Sequence, residues 1–203
     1  MANRIYVSID GKLKGYFQVQ STYREGFSSL IDKLNQYKLH LLTGDHSKTE
    51  QQKFEDDYNQ KLVLSFDKGP MEKLDYIKSL QNAGDKVMMI GDGLNDSGAL
   101  QKSDVGIAVS DNTALFTPAS DGILKGSNMN KLYQFLLLAR GGKKIVIASF
   151  VLSFLYNTVG LGLAVSGLLT PLVAAILMPL SSVTVVVFST LNVNMLAKKL
   201  KLS

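Results

Sequence analysis

Between Lys144 and Lys198 the chain carries no charged residue and no histidine. A segment that long and that apolar exceeds an ordinary core helix. At 1.5 Å per helical residue it suffices for two crossings of a roughly 30 Å hydrocarbon layer, which excludes a wholly soluble protein. The stretch divides at Gly167-Leu168-Leu169-Thr170-Pro171, so the expected spans are Ile145–Ser166 and Leu172–Leu191. Arg140, Lys143 and Lys144 precede it, and Lys198, Lys199 and Lys201 follow it. The positive-inside rule then predicts a helical hairpin in the cell membrane with both outer ends cytoplasmic.

All 17 acidic residues lie before Gly122, and the formal net charge of +5 arises from the acid-free remainder. A basic chain invites a nucleic-acid reading, but these basic residues flank an apolar run, so the expected partner is the lipid bilayer and not nucleic acid. With no cysteine, disulfides, zinc–thiolate sites and cysteine nucleophiles are excluded. Residues 1–14 hold no apolar signal region, which places the polar part on the cytoplasmic side.

The polar part alternates strand and helix patterns. Ile5, Val7 and Ile9 alternate before Asp10-Gly11, then Tyr16, Phe17 and Val19 follow, which reads as a β-hairpin over 1–20. A helix is expected from Arg24 to Tyr37, with Phe27, Leu30, Ile31 and Leu34 on one face, then a strand at Leu39–Leu42. Ser47 is a candidate cap for the next helix. Further strands are expected at Leu62–Leu64, Val87–Ile90, Val105–Val109 and Gly122–Leu124, with helices opening at Pro70 and near Asn95. Such alternation implies βαβ units, a Rossmann-like parallel sheet with helices on both faces, and a site at the carboxyl ends of its strands.

Three groups fall at such ends. Thr43-Gly44-Asp45 follows one strand, where a hydroxyl and backbone N–H groups can hold a phosphate oxygen; taken alone it also reads as a turn and helix cap. Lys73 lies one turn into the helix opening at Pro70, within reach of a phosphoryl group or of solvent. Gly91-Asp92-Gly93-Leu94-Asn95-Asp96 delivers two carboxylates and an amide into a glycine-flanked loop. Hard oxygen ligands of that kind suit Mg²⁺, which takes one or two carboxylates together with waters and phosphate. The alternative is a polar turn that satisfies its own backbone.

In order and spacing, Thr43-Gly44-Asp45, Pro70 to Lys73, Gly91 through Leu100 and Ser103-Asp104-Val105-Gly106-Ile107-Ala108-Val109 resemble the second half of the phosphorylation domain of P-type cation-transporting ATPases. That domain is of the haloacid-dehalogenase-like superfamily. The resemblance implies a partial domain over 1–130, a connecting helix over 131–144 that continues into the first span, and over 145–203 a transmembrane pair similar to the last two helices of the heavy-metal subgroup. It implies Mg²⁺ and ATP as cofactors. Asp92 would be the Mg²⁺ carboxylate, with Asp96 and Asn95 ordering the metal's surroundings and the phosphoryl site. Thr43 and Gly44 would bind phosphoryl oxygens, Asp45 would position their loop, and Lys73 would neutralise the phosphate. Phosphoryl transfer needs little beyond such alignment and charge compensation.

The family's phosphorylated aspartate, in an Asp-Lys-Thr-Gly-Thr loop, has no counterpart in these residues; Asp10-Gly11-Lys12 sits in a hairpin turn. The nucleotide-binding domain, actuator domain and earlier membrane helices of the family are likewise not represented. Within the spans, polar residues are functional candidates because desolvating them costs free energy. Tyr156-Asn157 and Met178-Pro179-Leu180-Ser181-Ser182 resemble signatures of copper(I)-transporting members, and a thioether suits Cu(I); packing by Met178 and backbone bonding by the serines are the alternatives. Thr22 to Gly26 and Phe116 to Asp121 are most similar to the branch that supplies copper to cbb-type cytochrome oxidase, although Ser21 stands where many members have Asp.

The leading expectation is the C-terminal part of a Cu(I)-transporting pump, partnered by the missing N-terminal portion and inactive on its own. The alternatives are a membrane-tethered phosphatase of the same superfamily, which lacks a suitable nucleophile here, and a non-catalytic membrane partner of other pump pieces.

Overall fold

In a computed structural model of the chain, residues 3–19, 26–44, 48–58, 61–111 and 119–202 are described. Thr22–Glu25, Asp45, Ser47 and Phe116–Pro118, all named above, lie outside that set. The chain forms two compact units, Met1–Asn130 and Lys131–Ser203.

The first unit opens with the expected hairpin, β1 (Asn3–Ile9) and β2 (Lys12–Val19). Its turn places Asp10 at φ 50° and Gly11 at φ 73°, the left-handed pair that matches strand twist in a two-residue loop. Helix α1 (Phe27–Lys33) is shorter than its apolar pattern suggests. It starts after Gly26, whose φ of 85° is left-handed, and it stops where Leu34 turns its N–H back onto Leu30 and Ile31.

Strand β3 (His40–Leu42), helix α2 (Lys48–Tyr58) and strand β4 (Val63–Ser65) form one parallel βαβ unit. Leu30, Ile31 and Leu34 of the α1 region, Phe54 of α2 and Leu62 are buried, and the Phe54 ring lies tilted against Tyr58 and edge-on to Phe66. Helix α3 (Pro70–Asn82) begins with proline, whose missing N–H costs nothing at a helix start. There the Gly69 N–H donates to Glu72 Oε2 at 2.7 Å.

Strands β5 (Met88–Gly91), β6 (Val105–Ser110) and β7 (Gly122–Lys125), with α4 (Ser97–Lys102) between the first two, make a second, all-parallel sheet. Ile77, Met89, Ala99, Leu100 and Ala108 form its core, joined by half-buried Val87. Gly106 is required there: a Cβ would meet the Leu100 carbonyl oxygen at 2.5 Å. The parallel α/β architecture is present, but among the described residues its ladder is in two pieces, β3–β4 and β5–β6–β7. Alternation of apolar residues reports that a strand is covered and does not report which strand lies beside it.

The second unit is two helices. Helix α5 runs unbroken from Leu132 to Val165 and α6 from Pro171 to Lys199, and both are long and apolar enough to cross a membrane. The turn between them is a Schellman motif: Gly167 takes φ 71°, and the Leu168 N–H reaches the Leu163 carbonyl at 3.0 Å. Thr170 then caps α6 by accepting from the Val173 N–H, and Pro171 follows in the first helical position. Down the pair, Leu196 fills the space a Gly141 side chain would take, Ser149 Oγ lies 2.7 Å from Ser189 Oγ, and Tyr156 donates to Thr184 Oγ1 at 3.3 Å. Gly160 admits Leu177. Small and hydroxylated residues at such intervals let two apolar helices approach closely.

Candidate functional site

At the end of β5, Lys73 Nζ donates to Asp96 Oδ1 at 2.7 Å, and their side chains are only 14% and 11% exposed. Helix α3 carries the lysine and the loop before α4 carries the aspartate, so the pair ties two elements together beside the Gly91–Asn95 loop. At this depth neither charge can stand alone: each is the other's compensation, and removal of one would leave an uncompensated buried ion. Gly91 makes it possible. A Cβ there would sit 2.5 Å from Asp96 Oδ2 and 2.8 Å from Asp96 Cβ, so only glycine lets the carboxylate fold back over the strand end.

Asp92 behaves differently. Its Oδ1 accepts from the N–H groups of Leu94 and Asn95, both at 3.1 Å, and Asn95 Nδ2 donates to Oδ2 at 3.3 Å. Gly93, at φ 84°, supplies the left-handed step that aims those N–H groups back at the carboxylate. Asp92 is exposed, and its Oδ2 keeps lone-pair capacity beyond the long amide contact. That fits a cation held by one carboxylate plus phosphate and water. Among the described residues no cluster of three or more acidic or histidine ligands occurs, so these residues by themselves build no full metal cage. Asp96, expected beside Asp92 as a metal-side carboxylate, is the counter-ion of Lys73, and Asn95, expected to order the site, holds Asp92.

Thr43 directly follows β3, and its backbone is fixed on both sides: its N–H donates to the Ser65 carbonyl at 3.1 Å, and its carbonyl accepts from the Lys68 N–H at 2.9 Å. Gly44 is exposed next to it. Asp45 lies outside the described residues.

Sequence reasoning missed two supporting groups. Asp104 accepts from Lys86 Nζ at 2.9 Å, the Val87 N–H at 3.0 Å and Gln81 Nε2 at 3.1 Å. The Lys86 hydrogen bond first, then the Val87 and Gln81 bonds, hold its carboxyl far below the usual range. It staples the end of α3 to the start of β5. His40, on β3, pairs through Nδ1 with the Tyr76 hydroxyl at 2.8 Å. Burial lowers its pKa, helped by Lys38 and opposed by Asp85. Asp104 falls inside a motif already singled out; His40 carried no such mark.

In the helical unit, a cleft of about 220 Å³ lies between α5 and α6 and is lined by Tyr156, Asn157, Gly160, Leu177, Met178 and Ser181, among others. Four of the five expected cargo residues thus share one cavity. Ser182 does not line it; its hydroxyl turns back to the Met178 carbonyl at 3.4 Å, as that of Ser181 does at 2.8 Å. Both hydroxyls thus satisfy themselves on their own helix, at the carbonyl one residue before Pro179, the proline that α6 carries within it. Thr184, which receives the Tyr156 hydroxyl, was not expected.

A model of the haloacid dehalogenase-like hydrolase family matches residues 3–104. The chain is 30% identical over 192 residues to the probable copper-importing P-type ATPase A of Enterococcus hirae, covering 91% of this chain and 26% of that protein. It is 30% identical over 184 residues to the probable copper-exporting P-type ATPase V of Mycobacterium tuberculosis, covering 90% and 24%. The chain therefore spans about a quarter of the length of these curated relatives. A zinc-transporting PIB-type ATPase in an E2.Pi state shares the fold, with a TM-score of 0.73 at 22% identity over 91% of this chain and 30% of that one. The chain belongs to the haloacid dehalogenase-like hydrolase family, with similarity to copper-transporting P-type ATPases over about nine tenths of its length.

Proposed function

We propose that this chain is the phosphate-handling and cargo-path portion of an ATP-driven heavy-metal pump, with Cu(I) as cargo, and that the phosphoryl-accepting aspartate comes from the missing N-terminal portion. The observation that carries this reading is the Lys73–Asp96 pair beside the Asp92 loop. Asp96 fixes the Lys73 ammonium at the strand end. Lys73 keeps two further N–H donors for phosphoryl oxygens, while the Thr43 hydroxyl and the Gly44 N–H offer neutral donors. Mg²⁺ bound at Asp92 would supply charge neutralisation of the phosphate oxygens. The reaction is then one of alignment and charge compensation, in which the acceptor carboxylate and the nucleotide-binding domain would come from outside this chain.

Cargo passes, on this reading, beside the cleft between α5 and α6. Met178 presents a soft thioether and Asn157 an exposed amide at its wall, and the Tyr156 hydroxyl is held by Thr184. A thioether in a place free of carboxylates favours Cu(I) over hard divalent cations. The basic residues at both outer ends of the hairpin set those ends, and the α/β unit, on the cytoplasmic face.

The test joins this chain to an upstream portion bearing the acceptor loop and measures Cu(I) uptake by vesicles. Met178→Leu lowers transport while phosphoenzyme still forms, and Asp92→Asn removes both. Unchanged Cu(I) transport in Met178→Leu would count against the cargo role. Acid-stable labelling of the chain by ATP in the absence of an upstream portion would refute an acceptor supplied from elsewhere.

A further inference from the structure

Helix α5 meets α6 through Gly141, Ser149, Tyr156 and Gly160, which touch or make room for Leu196, Ser189, Thr184 and Leu177. These positions define its inner side. The outer side, followed in steps of three and four residues, carries Arg140, Lys143, Lys144, Ile147, Val151 and Phe154. All six are exposed. Three cations are therefore gathered within little more than one turn, directly above an uninterrupted apolar strip on the same face.

The helical unit offers these cations no compensation. From Lys131 to Ser203 there is no aspartate or glutamate, and the positions one turn either side of Lys143 and Lys144 hold Ala139, Arg140, Gly141, Val146, Ile147 and Ala148. Arg140 stands at like-charge i, i+3 and i, i+4 spacing to the two lysines, which disfavours the helix. Lys198 and Lys199 complement the carbonyl end of α6. The α5 cations have no such role, because they lie about two turns or more inside a helix that begins at Leu132. An orientation signal needs positive charge near the end of a span, on any face. It does not gather all three charges on the face turned away from α6.

Depth decides what meets them. Ile145 to Val165 measures about 30 Å at 1.5 Å per residue, the thickness of the hydrocarbon layer. With the Gly167 turn at one surface, Lys143 and Lys144 reach the headgroups of the other. We infer that the outer face of α5 is a binding site for one anionic phospholipid, its phosphate held by Lys143 and Lys144 beside Arg140 and one acyl chain laid along Ile147, Val151 and Phe154. A free anion would match the charges and leave the strip bare, whereas an apolar protein helix would cover the strip and leave the charges unmet. A phospholipid complements both. Lysine suits the position, since its stem lies along apolar surface while the ammonium rises to the phosphates. The site depends on α5 crossing a bilayer and not on what the pump carries.

The chain has no tryptophan, so Val151→Trp places a single fluorescent reporter on the strip. Val186→Trp, exposed on α6 at a matching depth, is the control. The full chain bearing either substitution is reconstituted in vesicles of phosphatidylcholine and phosphatidylglycerol, with bromine on the acyl chains of one lipid or the other. Quenching then gives the relative occupancy of the two lipids beside each reporter. At Val151→Trp, phosphatidylglycerol is expected to be preferred about fivefold or more, the effect of one lysine at an anionic lipid surface, with little preference at Val186→Trp. Adding Lys143→Gln and Lys144→Gln should bring the first ratio down to that of the control, and Lys143→Arg with Lys144→Arg should keep it. Equal quenching by the two lipids at Val151→Trp, a preference that survives loss of both lysines, or an equal preference at Val186→Trp would each overturn the site. So would weak quenching by both lipids at Val151→Trp alone, which marks a second copy or another helix on this face. Loss of the preference to inorganic phosphate at constant ionic strength would mark a free-anion site and overturn it as well. None of these readings depends on Cu(I) transport.

Discussion

Replacing Asp96 with alanine leaves the Lys73 ammonium without its counter-ion in a place where its side chain is 14% exposed. Breaking a buried pair by deleting one partner costs about 3–5 kcal/mol, and a hydrogen bond to a charged group is itself worth roughly 1.5–3 kcal/mol. Because both side chains still touch solvent, the lower end applies, and we expect Asp96→Ala to destabilise the α/β unit by about 3 kcal/mol. Lys73→Met fills the lysine stem with an apolar chain but leaves Asp96 uncompensated, with a similar expected loss. The double variant removes both charges, so its loss should be smaller than the sum of the single losses by about 2 kcal/mol or more. The assay is amide exchange at Ile77, Met89 and Leu100, core positions of this unit, in the full chain in micelles. Additive losses, with coupling below about 0.5 kcal/mol, would refute the pair as the element that joins α3 to the β5 loop.

Gly91→Ala puts a methyl 2.5 Å from Asp96 Oδ2, so it should cost about 1–3 kcal/mol as overpacking. The same substitution in the Asp96→Ala background should cost less, measured by the same exchange. The His40 pKa is lowered on folding, so the unfolded state binds more protons once the pH falls below about 6.5, the ordinary histidine value. Stability of the α/β unit should therefore drop as pH falls from 7 toward the lowered folded value, and His40→Gln should flatten that slope in a pH series of exchange rates. In the helical unit, where the chain has no native cysteine, oxidation of the Ser149→Cys, Ser189→Cys double variant should form an intramolecular disulfide, because the two hydroxyls are 2.7 Å apart. Adding Gly141→Leu, which collides with Leu196, should abolish that bond; an unchanged yield on non-reducing gels would show that the helices do not pack through this seam.

Local features were legible in the residues themselves. Asp10-Gly11 makes a tight turn because few other pairs tolerate two left-handed residues, and the charge-free run between Lys144 and Lys198 folds as apolar helices because its backbone groups must bond within each segment. The Gly91–Asp96 loop could be placed at a strand end by its glycines and carboxylates alone. What those carboxylates do was decided by tertiary packing. Asp96 turns to Lys73, 23 positions earlier, and Asp92 is held by its own loop, a division of labour that spacing along the chain does not encode.

The same holds between strands and between helices. Apolar alternation marks β3 and β5 as covered, but hydrogen-bond pairing is a relation between distant segments, and only the fold shows that among the described residues the ladder is in two pieces. Tyr156, Asn157, Met178 and Ser181 stand out as polar or soft groups in apolar helices, yet their sharing of one cleft depends on helix register, which leaves Ser182, one position past Ser181, off its wall. By itself the sequence determined which groups must be desolvated and which turns the backbone can make, because those depend on side-chain chemistry and local sterics. The tertiary structure decided which partner compensates each buried group, because that depends on which distant residues the packing brings within hydrogen-bond reach.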